Sequence, residues 1–159
     1  MRIGLGGGCH WCTEAVFQLV RGVEKVEQGF IRSLPPHHAW SEAVIVHFDP
    51  ARIALDTLIE VHVRTHAATS RHSMREKYRS AVYAFDDAQV SKAIKALERL
   101  QEGFEEQLIT LVLPFAAFRS SPPRLHNYYR SDPQRPFCQR HIDPKLALIR
   151  REFSHRIVE

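Results

Sequence analysis

Apolar residues along the chain follow two patterns in turn. Short, nearly continuous runs are typical of buried strands, and a recurrence every three or four positions is typical of helices. Residues 43–48 form an almost continuous apolar run that ends at Asp49-Pro50, which predicts a buried strand. Between positions 86 and 102, apolar residues recur every three or four positions, which predicts a helix that begins at Asp86. These patterns together predict strands at 2–5, 23–32, 43–48, 80–85 and 108–113, and helices at 10–20, 56–64, 86–102, 125–130 and 144–155.

The order of these elements predicts an α+β fold. Two strands follow one another between the first two helices, and this mixed order favours helices packed on one mostly antiparallel sheet. With 159 residues, 44% of them hydrophobic, the chain is long enough to bury a core. No linker, internal repeat or low-complexity segment interrupts the sequence, so we expect a single domain over residues 1–159.

The composition excludes several classes of function. No apolar run approaches the roughly 18–20 residues that a membrane-spanning helix needs, and the N-terminus lacks the apolar stretch of a secretory signal. The formal net charge is +4, but no dense basic tract is present, so we expect neither a membrane nor a nucleic-acid partner. Three cysteines are too few for a disulfide-stapled secreted domain and predict a reducing compartment, the cytoplasm.

Two cysteines lie where the first predicted strand runs into the first predicted helix. Cys9 and Cys12 frame the sequence Cys-His-Trp-Cys and directly follow three glycines. A thiol at a helix start faces unpaired N–H groups and the positive end of the helix dipole, which lower its pKa. The glycines allow a sharp turn and leave the sulfur uncovered. The segment therefore predicts a nucleophilic or redox-active cysteine.

Three interpretations of this segment compete. A C-x-x-C pair after a strand is typical of a dithiol oxidoreductase of the thioredoxin type. A metal site is the second interpretation, but no second ligand pair follows at the spacing of a zinc finger. The third, a phosphate-binding loop, lacks the lysine and the last glycine of the known motifs. The candidate metal ligands are Cys9, His10, Cys12, His37 and His38.

Four stretches, in the same order along the chain, resemble one family pattern. They are GCHWCTEAVF at 8–17, HAWSEAV at 38–44, KYRSAVY at 77–83, and the C-terminal HNYY, Pro-Phe-Cys and Pro-Lys segments between 126 and 145. This set is similar to the signatures of the A-type peptide methionine sulfoxide reductases. The four stretches span nearly the whole chain.

The resemblance implies a ferredoxin-like sandwich and a reductase for the S epimer of methionine sulfoxide, free or in proteins. Cys9 matches the nucleophile, which attacks the sulfoxide sulfur and becomes a sulfenic acid. Glu42 matches the acid that protonates the sulfoxide oxygen, a role that needs poorly hydrated surroundings. Tyr78 matches a tyrosine that hydrogen-bonds the same oxygen. Trp11 matches the aromatic wall around the substrate methyl group, and His10 stands where the family has a phenylalanine of that wall.

The resemblance also implies that a second thiol recycles the sulfenic acid. Cys12 and Cys138 are the candidates, and the pattern leaves the choice between them open. The C-terminal position of many recycling cysteines in the family favours Cys138, which lies in a segment that we expect to be flexible. The implied electron donor is thioredoxin or a similar dithiol protein. No metal or organic cofactor is implied.

The sequence also departs from the family pattern. His10 replaces a phenylalanine, and the segments 30–42 and 66–78 are shortened, so that one tyrosine and one aspartate have no counterpart. These losses motivate an alternative, in which a catalytically weakened domain binds methionine or peptides or senses thiol oxidation. A general dithiol oxidoreductase that uses Cys9 and Cys12 is the other alternative.

Overall fold

The computed structural model describes residues 1–158. The strands are β1 (Arg2–Gly6), β2 (Val23–Arg32), β3 (Ser41–Phe48), β4 (Ala81–Ala84), β5 (Leu111–Pro114) and β6 (Ala117–Ser120). The helices are α1 (His10–Gln18), α2 (Leu55–Arg64), α3 (Asp87–Leu100), α4 (Tyr128–Ser131) and α5 (Asp143–Glu152). Within this described part, no helix is both long and apolar enough to cross a membrane.

All six strands belong to one sheet, with the order β5-β4-β1-β3-β2-β6. Every neighbouring pair is antiparallel except β4 and β5, which are parallel. The strands curl into a half-barrel with helices packed against it. The predicted α+β class and the mostly antiparallel sheet are therefore confirmed.

Three details of the C-terminal half differ from the prediction. The fifth strand begins at Leu111 rather than at residue 108, because the backbone N–H of Ile109 bonds to the carbonyl of Ala68 instead of joining the ladder. The short edge strand β6 was not predicted, since only its pairing with β2 makes it a strand. A π-helix over Cys138–Ile142 precedes α5 and was also missed.

The sheet has two apolar faces of unequal size. Along β3, Val44, Val46 and Phe48 contribute to the large core beneath the helices, whereas Ala43 and Ile45 contribute to a smaller cluster on the opposite face. This alternation is the period of two expected for a strand. The first face therefore anchors α1, whose N-terminus carries the predicted chemistry.

Close backbone approach brings the end of β1 against β3. A Cβ atom on Gly6 would lie 2.9 Å from the carbonyl oxygen of Glu42, and one on Gly7 would overlap the ring of His66. Side chains at these two positions are therefore excluded by their neighbours. The glycines allow the start of α1 and residue 42 of the sheet to lie side by side.

Candidate active site

Cys9 occupies the N-cap of α1, at the point where β1 and its glycine-rich loop end. Its carbonyl oxygen accepts the backbone N–H groups of Cys12 at 3.1 Å and of Thr13 at 3.2 Å, which closes the first turn. Cys9 is half-buried and Cys12 is 6% exposed. The predicted placement of both thiols at a strand–helix junction is confirmed.

The thiols of Cys9 and Cys12 share a hydrogen bond, which decides where the charge of the reduced pair lies. This bond and burial raise the pKa of Cys9 well above its usual range, whereas the same bond lowers the pKa of Cys12. The backbone N–H of Trp11 at the helix start lowers the pKa of Cys9 as predicted, but the bond to Cys12 and burial outweigh it, so the net shift is opposite to the expected one. Within the pair, a negative charge is therefore favoured on Cys12 over Cys9.

Lys145 of α5 is the cation beside this thiol pair. It shares with both cysteines a small cavity of about 30 Å³, and its charge reinforces the lowered pKa of Cys12. Burial lowers the pKa of Lys145 itself, and its Nζ donates to the carbonyl of Thr65. The role of Lys145 was missed, because the sequence showed it only as part of a Pro-Lys pair far along the chain.

His10 connects the helix to the predicted acid. Its Nδ1 lies 3.2 Å from Oε1 of Glu42, and its backbone N–H donates to the same oxygen at 3.2 Å. Its Nε2 lies 3.3 Å from Oγ of Ser121, and its ring meets Phe30 edge-on with the centroids 5.3 Å apart. His10 is 5% and Glu42 7% exposed, so the carboxyl has the poorly hydrated surroundings that were predicted.

The loop before β4 packs against the β3 residues Ser41 and Glu42. The backbone N–H of Glu42 donates to the carbonyl of Lys77 at 2.9 Å, and the Ser41 hydroxyl donates to the same carbonyl at 3.0 Å. Nζ of Lys77 lies 3.7 Å from Oε2 of Glu42 and 5.1 Å from the ring centre of Tyr78. Tyr78 therefore lies on the same side of the site as Glu42, with the exposed Lys77 side chain between them.

Trp11 forms the aromatic wall beside Cys9. Its ring stacks on Tyr128 with the centroids 4.1 Å apart and the planes 7° from parallel, and meets Phe137 edge-on at 5.3 Å. These contacts fix the indole between α1 and the C-terminal segment, because stacked and edge-on rings both have favourable geometry. An aromatic wall at this position agrees with the predicted site.

Two buried histidines support the loop beneath the thiols. Nε2 of His62 donates to the carbonyl of Gly6 at 2.7 Å, and Nε2 of His66 lies 2.7 Å from Oγ of Ser80. Burial lowers the pKa of His62 to about 4 and also lowers that of His66, so both rings are neutral near pH 7. His62 lies on α2 and His66 in the turn directly after it, and their spacing of four residues is the signal that would have placed them close together.

Cys138 lies in the hydrophobic core at the start of the π-helix. It is 0% exposed, and its thiol donates to the carbonyl of Asp132 at 3.6 Å. Burial raises its pKa. Residues 128–152 are mainly helical and pack on α1, and the flexibility expected for this segment stays a prediction.

The predicted metal ligands separate into two groups. In residues 1–158, the His, Cys, Asp and Glu side chains that bring at least three ligand atoms within 4.8 Å of one another are Cys9, His10 and Glu42. His37 and His38 lie outside this group, on the loop between β2 and β3.

A larger cavity of about 490 Å³ lies against Glu14 and Gln28, away from the thiols. The chemistry is therefore concentrated at the start of α1, not in the larger cavity.

Comparison with known proteins decides the family. The sequence profile of the family described as "Peptide methionine sulfoxide reductase" matches residues 1–157. The chain belongs to this family. A peptide methionine sulfoxide reductase MsrA of Chromobacterium violaceum is 34% identical, with 95% of each chain covered. The MsrA of Deinococcus radiodurans is 32% identical over 95% of this chain and 81% of its own.

Solved structures of peptide methionine sulfoxide reductases share the fold. The reduced form of Mxr1 from Saccharomyces cerevisiae matches with a TM-score of 0.77 at 22% identity, over 89% of this chain and 90% of its own. Methionine sulfoxide reductase A of Corynebacterium diphtheriae matches with a TM-score of 0.71 at 23% identity, over 83% and 74%. Mxr1 in complex with Trx2 matches with a TM-score of 0.63 at 21% identity, over 76% and 80%.

Proposed function

We propose that this chain reduces the S epimer of methionine sulfoxide, free or in proteins, by thiol chemistry at Cys9. The observation that carries the proposal is the placement of the Cys9 sulfur within 4.8 Å of a carboxylate oxygen of the poorly hydrated Glu42. A sulfoxide between them directs its sulfur to the thiol and its oxygen to the carboxyl. Family membership over nearly the whole chain supports the same reaction.

In the first step, Cys12, once deprotonated, takes the proton of Cys9 along the hydrogen bond between the two thiols. The Cys9 sulfur then attacks the sulfoxide sulfur while Glu42 donates its proton to the oxygen. The sulfur–oxygen bond of the substrate breaks, methionine leaves, and Cys9 becomes a sulfenic acid. Tyr78 hydrogen-bonds the oxygen, and Trp11 with His10 holds the methyl group.

In the second step, Cys12 acts as the resolving thiol. Its sulfur attacks the sulfenic sulfur of Cys9, water leaves, and a Cys9–Cys12 disulfide forms. Residues three apart in one helical turn have Cβ atoms about 5–6 Å apart, whereas a disulfide needs about 3.5–4.5 Å, so the turn must tighten for the bond to form. Since their thiols already share a hydrogen bond, a small displacement joins them. Cys138 is the less suitable thiol because it is fully buried.

A dithiol protein of the thioredoxin class then reduces the disulfide. One of its thiols attacks the pair and the other completes the exchange, which returns Cys9 and Cys12 to the dithiol state. The related fold of Mxr1 in its complex with Trx2 supports this partner. The cytoplasmic location predicted from the cysteine content is consistent with such a donor and stays a prediction.

We also infer that the chain is one domain with a ferredoxin-like sandwich at its centre. The order β1-α1-β2-β3-α2-β4, with the antiparallel strand sequence β4-β1-β3-β2, supports this classification. Strands β5 and β6 then extend the two edges of this central sheet. Limited proteolysis that releases one resistant core would support a single domain, whereas two stable fragments would contradict it.

Epimer-resolved turnover is the direct test of the proposed reaction. We expect reduction of S-methionine sulfoxide but not of the R epimer, with dithiothreitol and then with thioredoxin as the donor. Cys9→Ser should abolish it, and Glu42→Gln should lower kcat/KM by about 10²–10⁴-fold, the usual contribution of a general acid. Glu98→Gln, at an exposed position on α3, is the control outside the site. Equal rates with both epimers, or full activity in Cys9→Ser, would contradict the proposal.

The hydrogen-bonded Cys9–Cys12 pair also favours a second candidate function, general disulfide reduction. A C-x-x-C pair with one stabilised thiolate is suited to attack on a protein disulfide. Reduction of insulin without any reduction of methionine sulfoxide would favour this function. Reduction of methionine sulfoxide at rates far above that of insulin would favour the reductase.

A further inference from the structure

Three different ligand atoms converge at the start of α1. The sulfur of Cys9, a ring nitrogen of His10 and a carboxylate oxygen of Glu42 all lie within 4.8 Å of one another. Two of the three side chains are more than nine-tenths buried, and Cys9 is half-buried. The group therefore has both a preformed interior and an open side.

We propose that a thiophilic divalent cation of the Zn²⁺ class binds reversibly to Cys9, His10 and Glu42 and blocks the reactive thiol. The binding site consists only of residues of this chain, with a fourth position open to water. Its effect on turnover rests on the proposed reductase function, whereas the binding itself does not.

The environment of His10 is the strongest argument for a cation. Its Nδ1 is buried without a hydrogen-bond partner, although Oε1 of Glu42 lies only 3.2 Å away. On the other side of the ring, Nε2 contacts Oγ of Ser121, so the imidazole is held with Nδ1 facing the carboxyl group. A buried polar atom without a partner is costly. A bound cation would satisfy both atoms.

The ligand set also fits the preferences of Zn²⁺. Thiolate, imidazole and carboxylate are all ligands of this ion, and three protein ligands with one water are typical of its open, four-coordinate sites. Binding displaces the protons of Cys9 and Glu42 to solvent, so that two negative ligands neutralise the ion. The contact of Ser121 with the second ring nitrogen would orient the imidazole.

Two neighbouring lysines oppose the cation, Lys145 beside the thiols and Lys77 beside Glu42, and Lys77 has room to withdraw. Nζ of Lys77 lies 3.7 Å from Oε2 of Glu42, but 56% of the Lys77 side chain is exposed. Such a side chain can turn into solvent at little cost, because exposed ion pairs contribute little stability. The bound ion would then occupy the place of the sulfoxide, between the thiol and the acid.

Cobalt binding tests the proposal without depending on activity, since Co²⁺ reports its ligands by absorption and Zn²⁺ does not. We expect the reduced protein, freed of added thiols, to bind one equivalent of Co²⁺ with a sulfur-to-cobalt charge-transfer band that Zn²⁺ abolishes. His10→Phe and Glu42→Gln should each weaken Co²⁺ binding by more than about tenfold, and Cys9→Ser should remove the band. His37→Ala, Cys12→Ser and Cys138→Ser are the matched controls and should keep it.

The outcomes separate this proposal from the reductase function. A band that persists in both His10→Phe and Glu42→Gln but disappears in Cys12→Ser would overturn the site in favour of a dithiol chelate. A correctly folded, active reductase without Co²⁺ binding would overturn it as well. Co²⁺ binding with the expected variant pattern in a protein that cannot reduce methionine sulfoxide would uphold the site and count against the proposed function. In an active protein, Zn²⁺ should also stop single-turnover methionine formation, measured without dithiol donors that would chelate the ion.

Discussion

Cys12 and Cys138 belong to the same hydrophobic core but have opposite electrostatic surroundings. Cys12 accepts a hydrogen bond from Cys9 and lies near the Lys145 ammonium group, and its pKa is lowered. Cys138 instead donates to the carbonyl of Asp132 and is 0% exposed, and its pKa is raised by burial. The surroundings of Cys12 therefore favour exchange with Cys9, whereas Cys138 is packed in the hydrophobic core.

The difference shows that position along the chain is a poor guide to thiol accessibility. The proline-bearing segment before Cys138 suggested flexibility, but in the structure Phe137 and Tyr128 contact Trp11 on α1. Cys9 can contact Cys12 because the first turn of a helix places residues 9 and 12 on one face. Contact with the nucleophile, rather than chain flexibility, distinguishes the two candidates.

Removing each thiol in turn is the most direct test of the difference between Cys12 and Cys138. We expect Cys12→Ser to lower thioredoxin-linked turnover by about 100-fold or more, because the sulfenic acid then lacks a neighbouring thiol. The variant should still form one methionine per enzyme in a single turnover. Cys138→Ser should stay within about twofold of the unmodified protein. The opposite order of the two variants would return the resolving role to Cys138.

Acid should lower the stability of the folded chain through the buried histidines beneath Cys9 and Cys12. His62 has an ordinary pKa of 6.5 and a folded value of about 4, so between these values the unfolded chain binds more protons. Stability is therefore present above about pH 6.5 and is lost as the pH falls toward 4. We expect the free energy of unfolding to fall by about 2 kcal/mol from pH 7 to pH 5 through His62 alone.

Urea unfolding at both pH values measures this loss. His62→Gln should remove a large part of the pH dependence, whatever its stability at pH 7. His155→Gln, at an exposed position, should leave the dependence unchanged. A His62→Gln protein with the same pH dependence as the parent would contradict a neutral, buried ring at this site.

Removal of the cation beside Cys12 should produce the smallest effect. Lys145→Met takes away a charge that lowers the pKa of Cys12, so the thiolate fraction near neutral pH should fall. We expect the fast phase of iodoacetamide labelling at pH 7 to slow by up to about tenfold. Lys95→Met, an exposed control on α3, should label at the parent rate. An unchanged rate in Lys145→Met would mean that the hydrogen bond from Cys9 alone stabilises the thiolate.

Local patterns were sufficient for most of the fold. The apolar run of β3 and the three- and four-residue spacing of α3 predicted elements that the structure contains, because both signals arise within one segment. The π-helix at Cys138 and the edge strand β6 were missed, since each depends on contacts with distant residues. The same limit explains why Lys145 and His62 were not recognised as parts of the site.

The sequence by itself determined the nature of the chemistry. Cys9, Cys12 and His10 are neighbours in the chain, so a thiol pair with an adjacent imidazole follows from the order of residues and the start of α1. The tertiary structure decided what those groups contact. Glu42, Lys77 and Lys145 reach them only through sheet pairing and helix packing, and the charge of a buried thiol depends on the hydrogen bonds and charges within a few ångströms. For this physical reason the sequence predicted a reactive cysteine, whereas only the folded chain showed that the pKa is lowered at Cys12 and raised at Cys9.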